Sequence, residues 1–214
     1  MKKKITVTVV NVSKRVVLTV AFLVMVTTVS WAQQQRQVPN KRTQWGVKAG
    51  LNVSSIGGGN YNNIKAKAGF HAGITIDYAF TNEIYLLAGL EYTIKGPIVE
   101  LSPDDQHINA NYIQLPLTVG YKLQMTDELA LIIDAGPYLS YGVNGQITEG
   151  DHKQDTFSSI ALKRFDCGMV VGAAVDFRQF RFGMHCDFGL INIMQKGNDK
   201  AQNWNLGLST GIRF

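Results

Sequence analysis

From residue 44 onward the chain alternates, with a period of two, between apolar residues and polar or small ones. The clearest case is 202–214, where Trp204, Leu206, Leu208, Thr210, Ile212 and Phe214 share one parity and Asn203, Asn205, Gly207, Ser209, Gly211 and Arg213 share the other. Side chains of a strand point alternately to opposite faces, so such a segment has one apolar face and one polar face. Seven earlier segments follow the same rule: 44–54, 67–80, 84–95, 111–123, 129–143, 164–177 and 180–190. In the first, Trp45, Val47, Ala49, Leu51 and Val53 oppose Lys48, Gly50 and Asn52; in the second, Phe70, Ala72, Ile74, Ile76, Tyr78 and Phe80 oppose His71, Thr75 and Asp77. Each is about as long as a tilted membrane-spanning strand, roughly 9–11 residues. No comparable stretch carries the spacing of three to four residues that marks an amphipathic helix.

The connections between these eight segments alternate strictly between short and long. The short ones are 81–83, 124–128 and 178–179, and the long, polar ones are 55–66, 96–110, 144–163 and 191–201. Outer-membrane barrels have short periplasmic turns and longer outside loops. An even number of strands leaves both ends of the barrel on the periplasmic side. Aromatics gather near segment ends, and Phe80, Phe177, Phe180 and Phe214 fall together at the short-turn end, where an interfacial girdle belongs. The expected fold is all-β: an eight-stranded antiparallel up-and-down transmembrane β-barrel over 44–214, located in the bacterial cell outer membrane. The terminal Phe214 resembles the signal that outer-membrane assembly machinery reads on its client barrels.

The amino-terminal segment changes how the charge is read. Lys2, Lys3, Lys4, Lys14 and Arg15 precede an uncharged, mostly apolar run over 16–31, and Ser30-Trp31-Ala32 supplies small residues at the positions a signal peptidase requires. The expectation is a cleaved signal peptide over 1–32 and a disordered polar lead-in over 33–43. The leader holds five of the 21 Lys and Arg and none of the 16 Asp and Glu, so the mature chain has 16 of each sign. The basic balance of the whole sequence belongs to the leader and gives no reason to expect nucleic-acid binding.

The inward parity of the barrel carries charges of both signs: Lys48, His71, Asp77, Glu91, Lys95, Lys122, Asp134, Arg164, Asp166, Asp176, Arg181, His185, Asp187 and Arg213. Buried charges must be paired or solvated, so a lumenal ion-pair network is expected. If Arg178-Gln179 forms a two-residue hairpin, Phe177 faces Phe180 and Asp176 faces Arg181. An eight-stranded barrel is just wide enough for side chains to fill, which argues against a diffusion porin.

Other candidate chemistry is sparse. His71 and His185, with Asp77, Asp187 or Ser209, include the residue types of a hydrolase, but no spacing fixes a triad. Asp104, Asp105 and His107 lie in an expected loop and lack the oxygen-ligand spacing of a calcium loop. Gly57-Gly58-Gly59 is not followed by the Lys of a phosphate loop. No catalytic residue, metal ligand or cofactor site is assigned. Cys167 and Cys186 share the apolar face, and the hairpin register sets Cys167 opposite Leu190 and Cys186 opposite Val171, too far apart for a disulfide. Two free, lipid-facing thiols are expected. Pro116 cannot donate to a strand ladder, so a bulge or an unpaired neighbouring carbonyl is expected there.

The chain resembles the PorT-like outer-membrane β-barrel family. Trp45-Gly46-Val47-Lys48-Ala49-Gly50-Leu51-Asn52 looks like that family's first strand, Tyr112-Ile113-Gln114-Leu115-Pro116-Leu117 like a mid-barrel strand, and Gly211-Ile212-Arg213-Phe214 like its close. The resemblance spans the mature chain and brings no catalytic residues. It implies a small outer-membrane barrel, and the family's association with secretion is not carried over to this chain. The expected role, read from the barrel itself, is non-enzymatic: a surface scaffold, an adhesin-like display of loops, or an accessory to an outer-membrane assembly or secretion machine. The expected partners are outer-membrane lipid, the assembly machinery through Phe214, and proteins at the outside loops 55–66, 96–110, 144–163 and 191–201. Two alternatives remain open at this point. One is an outer-membrane hydrolase or acyltransferase with a site at the outer rim. The other is a soluble lipocalin-like barrel with its apolar face turned inward.

Overall fold

The computed structural model describes residues 42–57, 64–100, 106–149, 152–157, 162–194 and 201–214. The expected signal peptide and most of the lead-in lie outside the described residues. Eleven strands follow in chain order: β1 (Thr43–Gly57), β2 (Ile64–Lys65), β3 (Lys67–Ala79), β4 (Ile84–Lys95), β5 (Ile98–Val99), β6 (Gln106–Gln124), β7 (Leu129–Glu149), β8 (His152–Asp155), β9 (Phe165–Phe177), β10 (Phe180–Gly189) and β11 (Gln202–Arg213). Eight of these form a closed ring of antiparallel neighbours, β1-β3-β4-β6-β7-β9-β10-β11 and back to β1. The first and last strands close it in a continuous register from Gly46↔Arg213 to Gly57↔Gln202. Closure removes the unpaired edges that no structure in a lipid core can leave exposed. The short strands β2, β5 and β8 extend the sheet above the ring on the long-loop side, pairing with β5, β6 and β7 respectively.

The two faces of the ring have opposite character. Leu51 and Leu208, at 71% and 61% exposure, represent an outer surface almost wholly of Leu, Ile, Val, Met and aromatic side chains. Asp166, Asp187, His71 and Lys95 point inward and are at most 2% exposed. A soluble barrel has the reverse arrangement, so the lipocalin-like alternative is overturned. Trp45, Tyr78, Phe80, Phe177, Phe180 and Phe214 ring the short-turn end as exposed aromatics, the interfacial girdle expected from their positions.

Local chemistry sets the three short turns. Thr81 Oγ1 accepts hydrogen bonds from the Glu83 and Ile84 amides at 3.2 and 2.9 Å, and Thr126 Oγ1 accepts from Glu128 and Leu129 at 3.4 and 3.1 Å. Both turns therefore use a threonine hydroxyl to satisfy backbone donors at the turn. The third is the two-residue hairpin Arg178-Gln179, with Phe177 opposite Phe180 and Asp176 opposite Arg181 as expected. Arg178 takes a left-handed φ of 54° there.

The structure departs from the sequence reading in several places. β6 starts at Gln106 and β7 runs to Glu149, beyond the expected limits of 111 and 143, so this hairpin rises past the ring. His107, expected in a loop, pairs with Thr148 in that extension. At Pro116 there is no bulge. The β4–β6 register holds across it, although pairing is interrupted between Ala88↔Leu117 and Glu91↔Gln114. A proline lacks the amide needed to keep a ladder bond, and a gap without a slip accommodates it. The register shift lies instead at Asn111/Tyr112, where β6 and β7 leave the ring. Cys167 and Cys186 are free, with Cys186 opposite Val171 and the Leu190 amide donating to the Cys167 carbonyl at 2.9 Å.

Candidate functional site

The lumen is built from the inward residues of all eight ring strands and divides into levels. At the short-turn end, the Arg181 guanidinium lies 2.7 Å from Asp77 Oδ2 and 2.7 Å from Asp176 Oδ1. Arg213 adds a contact to Asp176 Oδ2 at 2.9 Å. The expected Asp176–Arg181 pair is thus present inside a four-residue cluster. Lys122 has a different partner, with Nζ 5.4 Å from the centre of the Tyr85 ring.

At mid-barrel, Lys48 pairs with Glu91 at 2.7 Å. His71 and His185 meet edge to face with ring centres 5.0 Å apart. Their rings lie over glycines: a Cβ on Gly50 would come within 2.7 Å of His71 Nε2, and one on Gly207 within 2.5 Å of His185 Nε2. Both glycines face the lumen, and a larger residue at either would occupy the space of the ring. Neither ring nitrogen of His71 has a hydrogen-bond partner. A cavity of about 110 Å³ lies beside this level, bordered by His185, Lys48, Thr118 and Asp134 and reaching the ion pairs on either side.

Further toward the outside, Asp187 Oδ2 gathers three donors: Lys95 Nζ at 3.0 Å, Gln114 Nε2 at 3.1 Å and Asn205 Nδ2 at 3.1 Å. Asn52 extends the chain to Asn205 at 2.8 Å, and Ser140 donates to Gln114 at 3.0 Å. Lys95 Nζ also sits 4.8 Å above the Tyr138 ring, and the Tyr138 hydroxyl donates to Asp166 at 3.2 Å. Asn203 donates to the same Asp166 oxygen at 2.8 Å. The polar side chains at this level are buried and linked into one network, although Asn52 Oδ1, Asp166 Oδ1 and Asp187 Oδ1 have no hydrogen-bond partner.

Above it the chemistry changes to apolar. Ala110, Tyr112, Phe157, Leu162, Ile193 and Ala201 form a buried cluster, with Ile56, Ile108, Ile191 and Met194 packed against it. The Tyr112 and Phe157 rings meet at 5.6 Å and 86°. The segments that carry the cluster are held by backbone bonds, including Lys163 N to Ile193 O at 2.7 Å and Ile193 N to Ala201 O at 2.9 Å. The connections at 144–163 and 191–201, expected to be polar loops, therefore contribute an apolar cap. Arg164, expected in the lumenal ion-pair network, is part of this cap: it donates to the Gly142 and Val143 carbonyls at 2.9 and 3.2 Å and lies 5.2 Å from the Phe157 ring centre.

His71 and His185 come together, but deep in the lumen and away from the outer rim where the hydrolase alternative would put its site. Neither nitrogen of His71 reaches a serine or a carboxylate, so the structure assembles no triad around it. Asp104, Asp105, Gly58 and Gly59 lie outside the described residues, and Gly57 ends β1. Among the described residues, no group of three or more His, Cys, Asp and Glu side chains is placed to hold a metal ion. Sequence reasoning missed the cap because Phe157, Leu162, Ile193 and Ala201 follow no periodicity.

A closed ring with a lipid-facing exterior, a charged interior and short turns at one end defines a transmembrane β-barrel of the bacterial outer membrane. A profile of the family described as outer membrane protein beta-barrel domain matches residues 31–195, and the chain belongs to that family. Among solved structures, Ail of Yersinia pestis is 16% identical, covering 81% of this chain and 100% of its own at a TM-score of 0.43. Neisserial surface protein A is 12% identical, covering 79% and 97% at 0.49. OprG of Pseudomonas aeruginosa is 10% identical, covering 83% and 99% at 0.45. No curated protein sequence matches.

Proposed function

We propose that this barrel is a non-enzymatic, non-conducting scaffold of PorT-like type, an accessory of an outer-membrane assembly or secretion machine that presents its outer end to a protein partner. The observation that carries this reading is the apolar cap around Tyr112, Phe157 and Ile193, stacked on a buried polar network. Among the described residues this cap packs apolar side chains over the polar network at the outer end of the lumen. It also ties the β6–β7 extension, the 152–157 segment and the 191–194 segment into one ordered surface. Phe214, exposed at the periplasmic rim on the closing strand, suits recognition by the assembly machinery.

The test is site-specific photo-crosslinking in intact cells, with the probe at exposed Gln154 on the outer end and at Glu128 on the periplasmic turn as reference. A discrete adduct with one outer-membrane protein, formed from 154 and not from 128, supports the scaffold. Equal or absent labelling at the two positions counts against it.

A further inference from the structure

We infer that His71 and His185 form a two-imidazole site in the lumen for a divalent ion of the zinc, copper or nickel type, with water completing its coordination. This goes beyond the scaffold role and does not depend on it.

Four observations converge on the site. First, the spacing fits. Imidazoles bound at ~2.0–2.1 Å to one tetrahedral ion have ring centres about 5 Å apart, and the two rings stand 5.0 Å apart at 77°. Second, His71 is 1% exposed yet neither of its ring nitrogens has a hydrogen-bond partner. Buried polar atoms are normally satisfied, and an unsatisfied one calls for an explanation such as a bound ion. Third, the pair is held in place by the protein. Gly50 and Gly207 on adjacent strands provide the notches in which the two rings lie, so both imidazoles are fixed over the β1–β11 pair. Fourth, His185 borders the cavity of about 110 Å³, which has room for several waters to fill the remaining positions.

The surrounding charge suits a cation. Lys48 is neutralised by Glu91 at 2.7 Å and Lys95 by Asp187 at 3.0 Å. Asp134, across the same cavity and 2.5 Å from where a Cβ on Gly172 would lie, has no lysine or arginine in ion-pair contact among the described residues. Imidazole nitrogen favours zinc, copper and nickel over magnesium and calcium. With no third His, Cys, Asp or Glu in place, the ion keeps open, water-filled positions, and a moderate, exchangeable affinity follows.

The experiment uses the tag-free, folded barrel in detergent, titrated with Zn²⁺ against a fluorescent chelator and, separately, with Cu²⁺ followed by electron paramagnetic resonance. The expected result is one ion per barrel and a copper spectrum with nitrogen coupling from two imidazoles. His71→Gln and His185→Gln should each weaken binding by at least about tenfold, and His107→Gln should leave it unchanged. Heat-modifiable migration reports whether each variant is folded. If a variant fails to fold, the wild-type copper spectrum decides. Absence of binding, binding that survives both lumenal substitutions, or a copper spectrum with oxygen ligands alone would overturn the site.

Discussion

Lys95 Nζ lies 3.0 Å from Asp187 Oδ2, and both side chains are 1% exposed. The pair joins β4 to β10 across the lumen, and Gln114 and Asn205 complete the hydrogen bonding around the same carboxylate oxygen. Removing one member of a buried pair leaves an uncompensated charge at a cost of about 3–5 kcal/mol. Asp187→Asn is therefore expected to lower the unfolding free energy by about that amount. Lys95→Met/Asp187→Asn together should cost clearly less than the sum of the single changes. Urea titration of the barrel in lipid vesicles, run as a double-mutant cycle, measures both quantities.

The turns make a finer test. Thr81→Ala and Thr126→Ala each remove a hydroxyl that accepts two backbone donors, and each should cost about 1 kcal/mol. Arg178→Asn should have the opposite sign. A left-handed residue other than glycine or asparagine costs about 1–2 kcal/mol, and the exposed Arg178–Glu128 pair at 2.8 Å compensates for little of it. A gain of up to about 1 kcal/mol in the same titration is expected.

Gly207 faces the His185 ring closely enough that a branched side chain cannot share the space. Gly207→Val is expected to displace the imidazole and cost about 1–3 kcal/mol through overpacking. The accompanying change should be visible at His71, whose ring resonance in NMR shifts when its edge-to-face neighbour moves.

The hairpin register keeps Cys167 and Cys186 apart on the outer face. In membranes, both thiols should react with a lipid-soluble maleimide and resist a charged, water-soluble one. The mobility of the folded protein should be the same with and without reductant. A reductant-sensitive species within one chain would contradict the register.

Much of this architecture was legible because a barrel strand writes its two faces directly into residue parity. The Phe177↔Phe180 and Asp176↔Arg181 partners followed from a two-residue turn, which fixes register locally. What parity could not supply was contact between inward residues that lie far apart in sequence. His71 and His185 were recognisable as inward, but their meeting depends on the register in which β1 joins β11 when the ring closes. The cap was illegible for a different reason. Phe157, Leu162 and Ile193 sit in segments of irregular backbone, where no period separates a buried apolar residue from an exposed one. At Pro116 a bulge or an unpaired neighbour was expected; the bulge is absent, and the ring takes the proline as a short gap in pairing without a slip.

A barrel sealed by its lumenal network and apolar cap, as proposed above, is tested most directly by single-channel recording in planar bilayers. Purified protein, shown by heat-modifiable migration to be folded, should insert without producing discrete conductance steps. Steady, reproducible openings of the folded wild-type barrel would contradict the account and identify the lumen as a conducting path.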